Sequence, residues 1–184
     1  MAMPVAMATL AAALPDDAVL VEEAITASID FARSFDFQGP GDYFAGRGGG
    51  IGQGLAGALG VQQALPDRRV VCVSGDGSAM YSIQALWTAA HHDLPILFIV
   101  LANREYRVLK HNIDVYRHRF GIESNQPYAH MDLVSPELGF VEMAAGMGVA
   151  GCRVSEPEDL TQAVQTALAG TAPYLIEVAI EGKR

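Results

Sequence analysis

The sequence predicts an α/β fold with a doubly wound, mostly parallel sheet of about five or six strands and helices on both faces. Short apolar runs rich in β-branched residues alternate with segments of helical periodicity along the chain. The central runs are apolar at every residue, as is typical of parallel strands that helices cover on both sides. A length of 184 residues corresponds to one domain, so we expect residues 1–184 to form a single unit.

The predicted strands indicate where a ligand would bind. They cover residues 19–21, 70–73, 96–102, 149–154 and 174–180. Ligands of doubly wound sheets bind in the crevice beyond the carboxyl ends of the strands. The loops that follow Val21, Val73 and Ala102 are therefore expected to carry the chemistry.

Helical spacing of apolar residues predicts the segments between the strands. Ile83, Leu86 and Trp87 share one face of a predicted helix over 78–92, and this spacing places Trp87 in the core. A shorter helix is predicted over 140–147.

Local signals predict two further helices. Ser155 as N-cap and Glu158 three residues later form a capping box, which predicts a helix over 155–169. The polar segment after Glu105 predicts a helix to about Asn112 and then a long loop, a feature that is often functional.

Composition excludes several classes of protein. The net charge of −9, without a basic stripe, argues against nucleic acid and anionic membrane partners. Residues 1–13 are apolar but lack a basic segment, so they predict a helix packed on the surface and not a signal peptide. No apolar run is long enough for a membrane span. Cys72 and Cys152 lie in apolar runs, which predicts reduced core thiols in a cytoplasmic protein.

A cluster of glycines over residues 46–60 has two interpretations. Residues 52–57 match G-x-G-x-x-G, the fingerprint of a nicotinamide-dinucleotide domain, but the residues before them, 43–48, do not resemble a strand. The alternative is a loop at 48–50 followed by a helix of small residues over 51–63. Its glycines would allow a backbone or a flat ligand to approach closely.

The run of residues 74–78 follows a predicted strand directly, and within it Asp76 lies between two glycines. A carboxylate at this position suits Mg²⁺, which prefers one or two protein oxygens together with phosphate oxygens. Amide groups at the start of the next helix, near Ser78, suit a phosphate. The alternative is that Asp76 only caps a tight turn, because Asp is a favoured N-cap residue.

Asn103 favours the metal-binding interpretation. It follows the next strand, 27 residues after Asp76. In a right-handed β-α-β unit the two strand ends are neighbours, so Asp76 and Asn103 are able to share one cation.

The run GDGSAMYSIQALWTAAHHDLPILFIVLANREY, residues 75–106, resembles the thiamine-diphosphate motif, in which GDG is followed one helix and one strand later by an asparagine pair. The family that the chain resembles is that of benzoylformate decarboxylase and acetolactate synthase. The similarity covers nearly the whole chain but matches only the C-terminal, diphosphate-binding domain of these enzymes. Their N-terminal and middle domains are absent from residues 1–184.

The resemblance implies a set of site residues. Asp76, Asn103 and the backbone carbonyl of Glu105 would bind Mg²⁺, and Gly77 and Ser78 would hold the diphosphate. The remaining implied contacts are Tyr106 beside the diphosphate, Ile51 under the thiazolium, the Gly49 carbonyl as acceptor from the 4′-amino group, the Thr26 hydroxyl on a phosphate, the Ile25 backbone near the pyrimidine, and Leu109 in the substrate pocket.

Three positions depart from the family pattern. Ala102 replaces the first asparagine of the pair. In the family pattern this first position is not the metal ligand. Arg104 replaces the usual glycine after the pair, which calls the backbone geometry of that turn into question. Arg107 stands where another glycine is common, so the mouth of the pocket is expected to carry charge.

The resemblance implies that the chain is part of a thiamine-diphosphate- and Mg²⁺-dependent 2-oxo acid decarboxylase or carboligase. The catalytic residue of this chain stays unknown, because the family's cofactor-activating glutamate belongs to the N-terminal domain of a neighbouring subunit. Expected partners are a pyrimidine-binding domain or subunit, further copies of the protein, and a small 2-oxo acid. The alternatives are one subunit of a two-chain enzyme and an inactive fragment.

Overall fold

The computed structural model describes residues 1–46 and 48–182, and within them six strands form one parallel sheet in the order β2-β1-β3-β4-β6-β5. The strands are β1 (Val19–Glu23), β2 (Tyr43–Ala45), β3 (Val70–Gly75), β4 (Leu97–Ala102), β5 (Ala150–Val154) and β6 (Tyr174–Ala179). The predicted α/β class is confirmed. The chain continues from β1 to β2 on one side and places β3 on the other, so the strand order reverses between β1 and β3.

Helices cover both faces of the sheet. They are α1 (Met3–Ala13), α2 (Ser28–Ser34), α3 (Gly54–Ala64), α4 (Asp76–Ala79), α5 (Ala85–His91), α6 (Arg107–Arg119), α7 (Phe140–Gly146) and α8 (Pro157–Ala169). The first, second and eighth helices pack on one face, and the third, fourth, fifth and seventh pack on the other.

The core is divided into two clusters because successive strand side chains point to opposite faces. In β3, Val71 and Val73 belong to the cluster under α1 and α8, whereas Val70 and Cys72 belong to the cluster under α3 and α5. Both faces of the central strands are therefore buried, which is why those runs are apolar at every residue. Met7 lies in the first cluster and is fully buried, so the predicted surface packing of the N-terminal helix is observed.

The predicted helix over 78–92 is divided in the structure. The short α4 ends at Ala79, a series of turns follows, and α5 begins at Ala85. Helix α5 buries Ala85, Leu86 and Ala89, which leaves Trp87 on its outer side. The prediction that Trp87 belongs to the core is wrong: it is 55% exposed and stacks on His91 with ring centroids 4.8 Å apart.

The capping box predicted at Ser155 is not formed. Helix α8 begins at Pro157 with Glu156 as its N-cap residue, and no side chain donates or accepts a capping hydrogen bond there. Proline at the first helical position explains the later start, because its fixed φ suits that position and it has no N–H to satisfy.

Helix α6 is longer than predicted, since it continues to Arg119 and does not end near Asn112. None of its residues is buried and most of them are polar or charged, so the sequence carries no core signal for its full length. Strand β2 was also missed. Its three residues are all exposed and form an edge strand, which is held by parallel pairing to β1 at Leu20, Val21 and Glu22.

Cys72 is buried and Cys152 is partly exposed, and both are free thiols. Burial raises the pKa of the Cys72 thiol, and the negative charges of Glu23 and Glu22 raise it further. In the described ranges no helix has the length and apolar character that crossing a membrane requires.

Candidate functional site

A cleft of about 700 Å³ opens at the carboxyl ends of β1, β3 and β4. This is the reversal in strand order where doubly wound sheets bind ligands. All eleven residues predicted for the site line this one cleft: Ile25, Thr26, Gly49, Ile51, Asp76, Gly77, Ser78, Asn103, Glu105, Tyr106 and Leu109. Four separate segments of chain supply them, and the sheet brings those segments together.

Asp76 is the first residue of α4 and is only 4% exposed. Its Oδ1 accepts a hydrogen bond from the Gly77 N–H at 2.8 Å, and its Oδ2 accepts from the Arg104 N–H at 2.6 Å. Burial raises the pKa of Asp76, and the hydrogen bonds from Arg104 and Gly77 counteract this rise. Each carboxylate oxygen keeps a further lone pair, so the group is able to bind a cation while these hydrogen bonds persist.

Asn103 lies next to Asp76 because β3 and β4 are paired in parallel. Gly75, which precedes Asp76, is opposite Leu101, and Asn103 follows two residues later. The Asn103 Oδ1 accepts a hydrogen bond from the Glu105 N–H at 3.0 Å, which fixes the side chain over the turn. The carboxyl ends of β3 and β4 are therefore adjacent, as expected.

Arg104 adopts the backbone conformation of this turn although it stands where the family pattern has glycine. Its φ is +62°, in the left-handed region that glycine adopts easily and other residues adopt rarely. The backbone geometry that the sequence called into question is therefore accommodated, and the Arg104 N–H reaches Asp76.

The side chain of Glu105 is occupied by two cations. It accepts hydrogen bonds from Lys110 Nζ at 2.5 Å and from Arg107 Nε at 2.8 Å. Burial raises the pKa of the Glu105 carboxyl, but the hydrogen bonds from Lys110 and Arg107 lower it by a larger amount. The resulting pKa is below the usual value. These ion pairs neutralise the expected charge at the mouth of the cleft and leave the backbone of Glu105 as its candidate metal ligand.

Gly77 is required by close packing against Tyr106. A Cβ at residue 77 would lie 2.5 Å from Tyr106 Cε1, which is closer than any real contact. Ser78 beside it is 7% exposed, and together these residues form a narrow backbone floor. Helix α4 has only four residues, so a phosphate would be held by individual N–H and O–H groups and little by a helix dipole.

Glu23 was not predicted as part of this site. Glu22 and Glu23, at the end of β1, both have buried side chains that lie outside the cleft lining. The Glu23 Oε1 accepts from the Gln53 N–H at 2.8 Å, and its Oε2 accepts from the Gly54 N–H at 3.1 Å. The carboxylate thus caps α3 and anchors the loop that carries Gly49 and Ile51.

Glu22 anchors another loop of the cleft in the same way. It accepts hydrogen bonds from the Ala24 N–H at 2.6 Å, the Ser28 hydroxyl at 3.2 Å and the Tyr43 hydroxyl at 3.1 Å. The first two hold the turn that carries Ile25 and Thr26. The only local signal for either role is an acidic pair at the end of an apolar strand.

Replacing Glu23 with alanine is expected to lower the free energy of unfolding by about 1–3 kcal/mol, because it leaves the N–H groups of Gln53 and Gly54 at the start of α3 without an acceptor, the second of them buried. Urea unfolding measures this effect. Glu158→Ala is the matched control, since Glu158 is an exposed acid in the first turn of α8 and should contribute about 0.5 kcal/mol. Equal losses in the two variants would contradict the anchoring role of Glu23.

The donor set fits a magnesium ion. Across residues 1–46 and 48–182, no three side chains of the types His, Cys, Asp and Glu form a group that could hold a metal ion. A cation in this cleft would therefore have one protein carboxylate, one amide oxygen and backbone oxygen, with phosphate oxygens completing its shell. An all-oxygen set of ligands of this kind suits Mg²⁺ better than it suits softer metals.

A cleft at a strand-order reversal, with one buried carboxylate, an amide oxygen and a glycine-flanked backbone floor, defines a diphosphate- and cation-binding α/β domain. Residues 26–178 match the family model described as thiamine pyrophosphate enzyme, C-terminal TPP binding domain. The chain belongs to this family, and its cofactor is thiamine diphosphate, for which Mg²⁺ is the usual partner ion. The nicotinamide interpretation of residues 52–57 is set aside.

Known relatives agree with this assignment. The chain is 38% identical over 164 residues to benzoylformate decarboxylase of Pseudomonas aeruginosa, and the match covers 89% of this chain and 29% of that one. It is 26% identical over 175 residues to the acetolactate synthase isozyme 1 large subunit of Escherichia coli, covering 95% and 30%.

A solved structure shows the same fold. The thiamine diphosphate-dependent 4-hydroxybenzoylformate decarboxylase of Rhodococcus jostii superposes with a TM-score of 0.91 at 37% identity, over 100% of this chain and 33% of that one. The chain thus spans about a third of the length of its relatives.

Proposed function

We propose that this chain forms the diphosphate- and Mg²⁺-binding side of the active site in a thiamine-diphosphate-dependent 2-oxo acid decarboxylase or carboligase. The observation that carries the proposal is the convergence of all eleven predicted residues on one cleft. A benzoylformate decarboxylase-like lyase is the first candidate, because the relative of that name and the Rhodococcus enzyme are 38% and 37% identical to this chain over the matched regions. A carboligase of the acetolactate synthase type is the second.

Asp76 and Asn103 would bind Mg²⁺ together with the backbone carbonyl of Glu105. Gly77 and Ser78 would hold the diphosphate from below, and the Thr26 hydroxyl would donate to it. Because the chain is acidic overall, the cation is needed to balance the phosphate charge in this cleft.

The loops anchored by Glu22 and Glu23 would position the two rings of the cofactor. Ile51 would support the thiazolium, the Gly49 carbonyl would accept from the pyrimidine amino group, and the Ile25 backbone would lie near the pyrimidine. When bound, thiamine diphosphate supplies a carbon nucleophile and an electron sink for cleavage of the substrate. The part of this chain is to bind and orient it, with Leu109 at the substrate side of the cleft.

The remaining parts of the active site would come from another domain or subunit. The relatives are about three times as long as this chain, and the family resemblance implies that the acid–base glutamate for the pyrimidine belongs to one of their other domains. We therefore propose a pyrimidine-binding domain or subunit as partner and assembly into a homo-oligomer, in the cytoplasm. A subunit of a two-chain enzyme and a fragment of a longer enzyme are both compatible with this proposal.

The purified chain is expected to bind thiamine diphosphate only when Mg²⁺ is present and to decarboxylate neither benzoylformate nor pyruvate. Without an acid–base partner for the pyrimidine, the cofactor is not activated. Titration calorimetry with Mg²⁺, and with EDTA as the control, tests binding, and carbon dioxide release tests turnover. Failure to bind in Mg²⁺ would contradict the proposed function, and steady turnover would contradict the need for a partner.

A further inference from the structure

Arg104 joins the candidate cation site to the neighbouring strand β6 and to Glu137. It lies in the turn between β4 and α6 with φ at +62°. Its N–H donates to Asp76 Oδ2 at 2.6 Å, and its carbonyl accepts from the Leu133 N–H at 2.8 Å. These two hydrogen bonds tie the turn to Asp76 on one side and to Leu133 on the other.

The side chain of Arg104 holds this turn through an ion-pair network of four residues: Arg104, Glu137, Arg153 and Glu177. The guanidinium contacts the Glu137 carboxylate, and its Nη2 lies 3.8 Å from Glu177 Oε1. The Glu177 side chain is 3% exposed and projects from β6, where residue 177 pairs with Val100 of β4. Arg104 Nη2 is itself buried and makes no hydrogen bond, so the attraction between charges holds it in place.

Arg153 belongs to the same network but has no link to the cation site. Its Nη1 lies 3.3 Å from Glu137 Oε1, and its Nε lies 3.6 Å from Glu177 Oε1. Arg153 is on β5 at the edge of the sheet, and half of its side chain is exposed. The two arginines therefore share their partners and differ in whether their backbone contacts Asp76.

We propose that Arg104 is a positioning residue for the cation site: its ion pairs hold the turn in the left-handed conformation, and the turn orients the Asp76 carboxylate toward Mg²⁺. This inference rests on the proposed function, because it assumes that Asp76 binds Mg²⁺ beside thiamine diphosphate. Residues that orient a metal ligand typically change metal affinity by about 10–100-fold when they are replaced.

Arg104→Gln and Arg153→Gln form the matched pair that tests the proposal. Both remove one guanidinium from the same network, and only the first removes the side chain that holds the turn. We expect the affinity for Mg²⁺ in saturating thiamine diphosphate, measured by calorimetry on folded protein, to fall about tenfold in Arg104→Gln and to stay unchanged in Arg153→Gln. Arg104→Lys should restore part of the affinity, because lysine keeps the positive charge but lacks the planar guanidinium with its several N–H donors.

Arg104→Gly guards against a variant that fails to fold, since glycine adopts the left-handed conformation without strain. It should bind Mg²⁺ more tightly than Arg104→Gln does, because glycine keeps this conformation without the help of ion pairs. Hydrogen exchange of residues 103–106 in metal-free protein is the second readout. It should be several-fold faster in Arg104→Gln than in Arg153→Gln.

The outcomes separate the two ideas. Equal Mg²⁺ affinities in wild type and Arg104→Gln, or equal losses in both glutamine variants, would overturn the positioning role. If the wild-type chain does not bind Mg²⁺ and thiamine diphosphate together, the proposed function fails. The exchange rates in that case still show whether Arg104 holds the turn, and unchanged rates would overturn that part as well.

Discussion

Asp76→Asn is expected to weaken Mg²⁺-dependent binding of thiamine diphosphate by about 100-fold or more, the upper end of the effects seen at metal sites. The replacement keeps the size of the side chain but removes its charge from the cleft. Its amide nitrogen would also face the N–H of Gly77 or of Arg104, a donor against a donor. Calorimetry with Mg²⁺ and thiamine diphosphate measures the loss.

Asp67→Asn is the control for this prediction. Asp67 is exposed and lies three residues before β3 begins, at the end of the strand opposite to Asp76. It carries the same chemical change without any contact to the cleft, so we expect wild-type affinity. If both variants bind the cofactor equally well, Asp76 is not the metal ligand.

Gly54→Ala is expected to destabilise the chain by about 1–3 kcal/mol, the usual cost of forcing an extra methyl group into a packed site. The added Cβ would lie 2.8 Å from Glu23 Cβ and 3.1 Å from Glu23 Oε2. The first of these atoms is fixed to the buried backbone of β1, so the start of α3 must move. Because the loop with Gly49 and Ile51 ends there, cofactor affinity should fall too.

Gly57→Ala, in the same helix, should have the opposite sign. Nothing lies within 4 Å of a Cβ at residue 57, and the position is exposed. Alanine in a helix interior is favoured over glycine by up to about 1 kcal/mol. Urea unfolding of the two variants separates the effect of packing from that of helix propensity. If Gly54→Ala stabilises the chain as much as Gly57→Ala does, the contact with Glu23 does not prevent a side chain at residue 54.

The fold was largely predictable because burial on both faces leaves a strong pattern. All five predicted strands are found, and the two in the centre, β3 and β4, have the most continuous apolar runs. Strand β2 was not predictable, since its exposed residues have no burial pattern. The interruption between α4 and α5 was missed for a related reason: apolar residues at helical spacing do not show where the backbone hydrogen bonds stop.

The site was predictable where its residues are local to a strand end. Asp76 and Asn103 each follow an apolar run, and parallel pairing then makes them neighbours. The resemblance to the family supplied the other members, such as Ile51 and Leu109. Glu23 was not predictable as an anchor, because its hydrogen bonds reach residues 30 and 31 positions away.

The sequence by itself determined the class of fold, the edge of the sheet at which the cleft lies, and the carboxylate and amide groups of Asp76 and Asn103 that meet there. These follow from hydrophobic pattern and from the position of polar residues after strands, both of which are local. Only the tertiary structure decided how the cofactor loops are held, by Glu22 and Glu23, and how Arg104 keeps a turn that glycine would adopt easily. Those contacts join segments that are remote in sequence, and buried hydrogen bonds and ion pairs between such segments exist only once the sheet has brought them together.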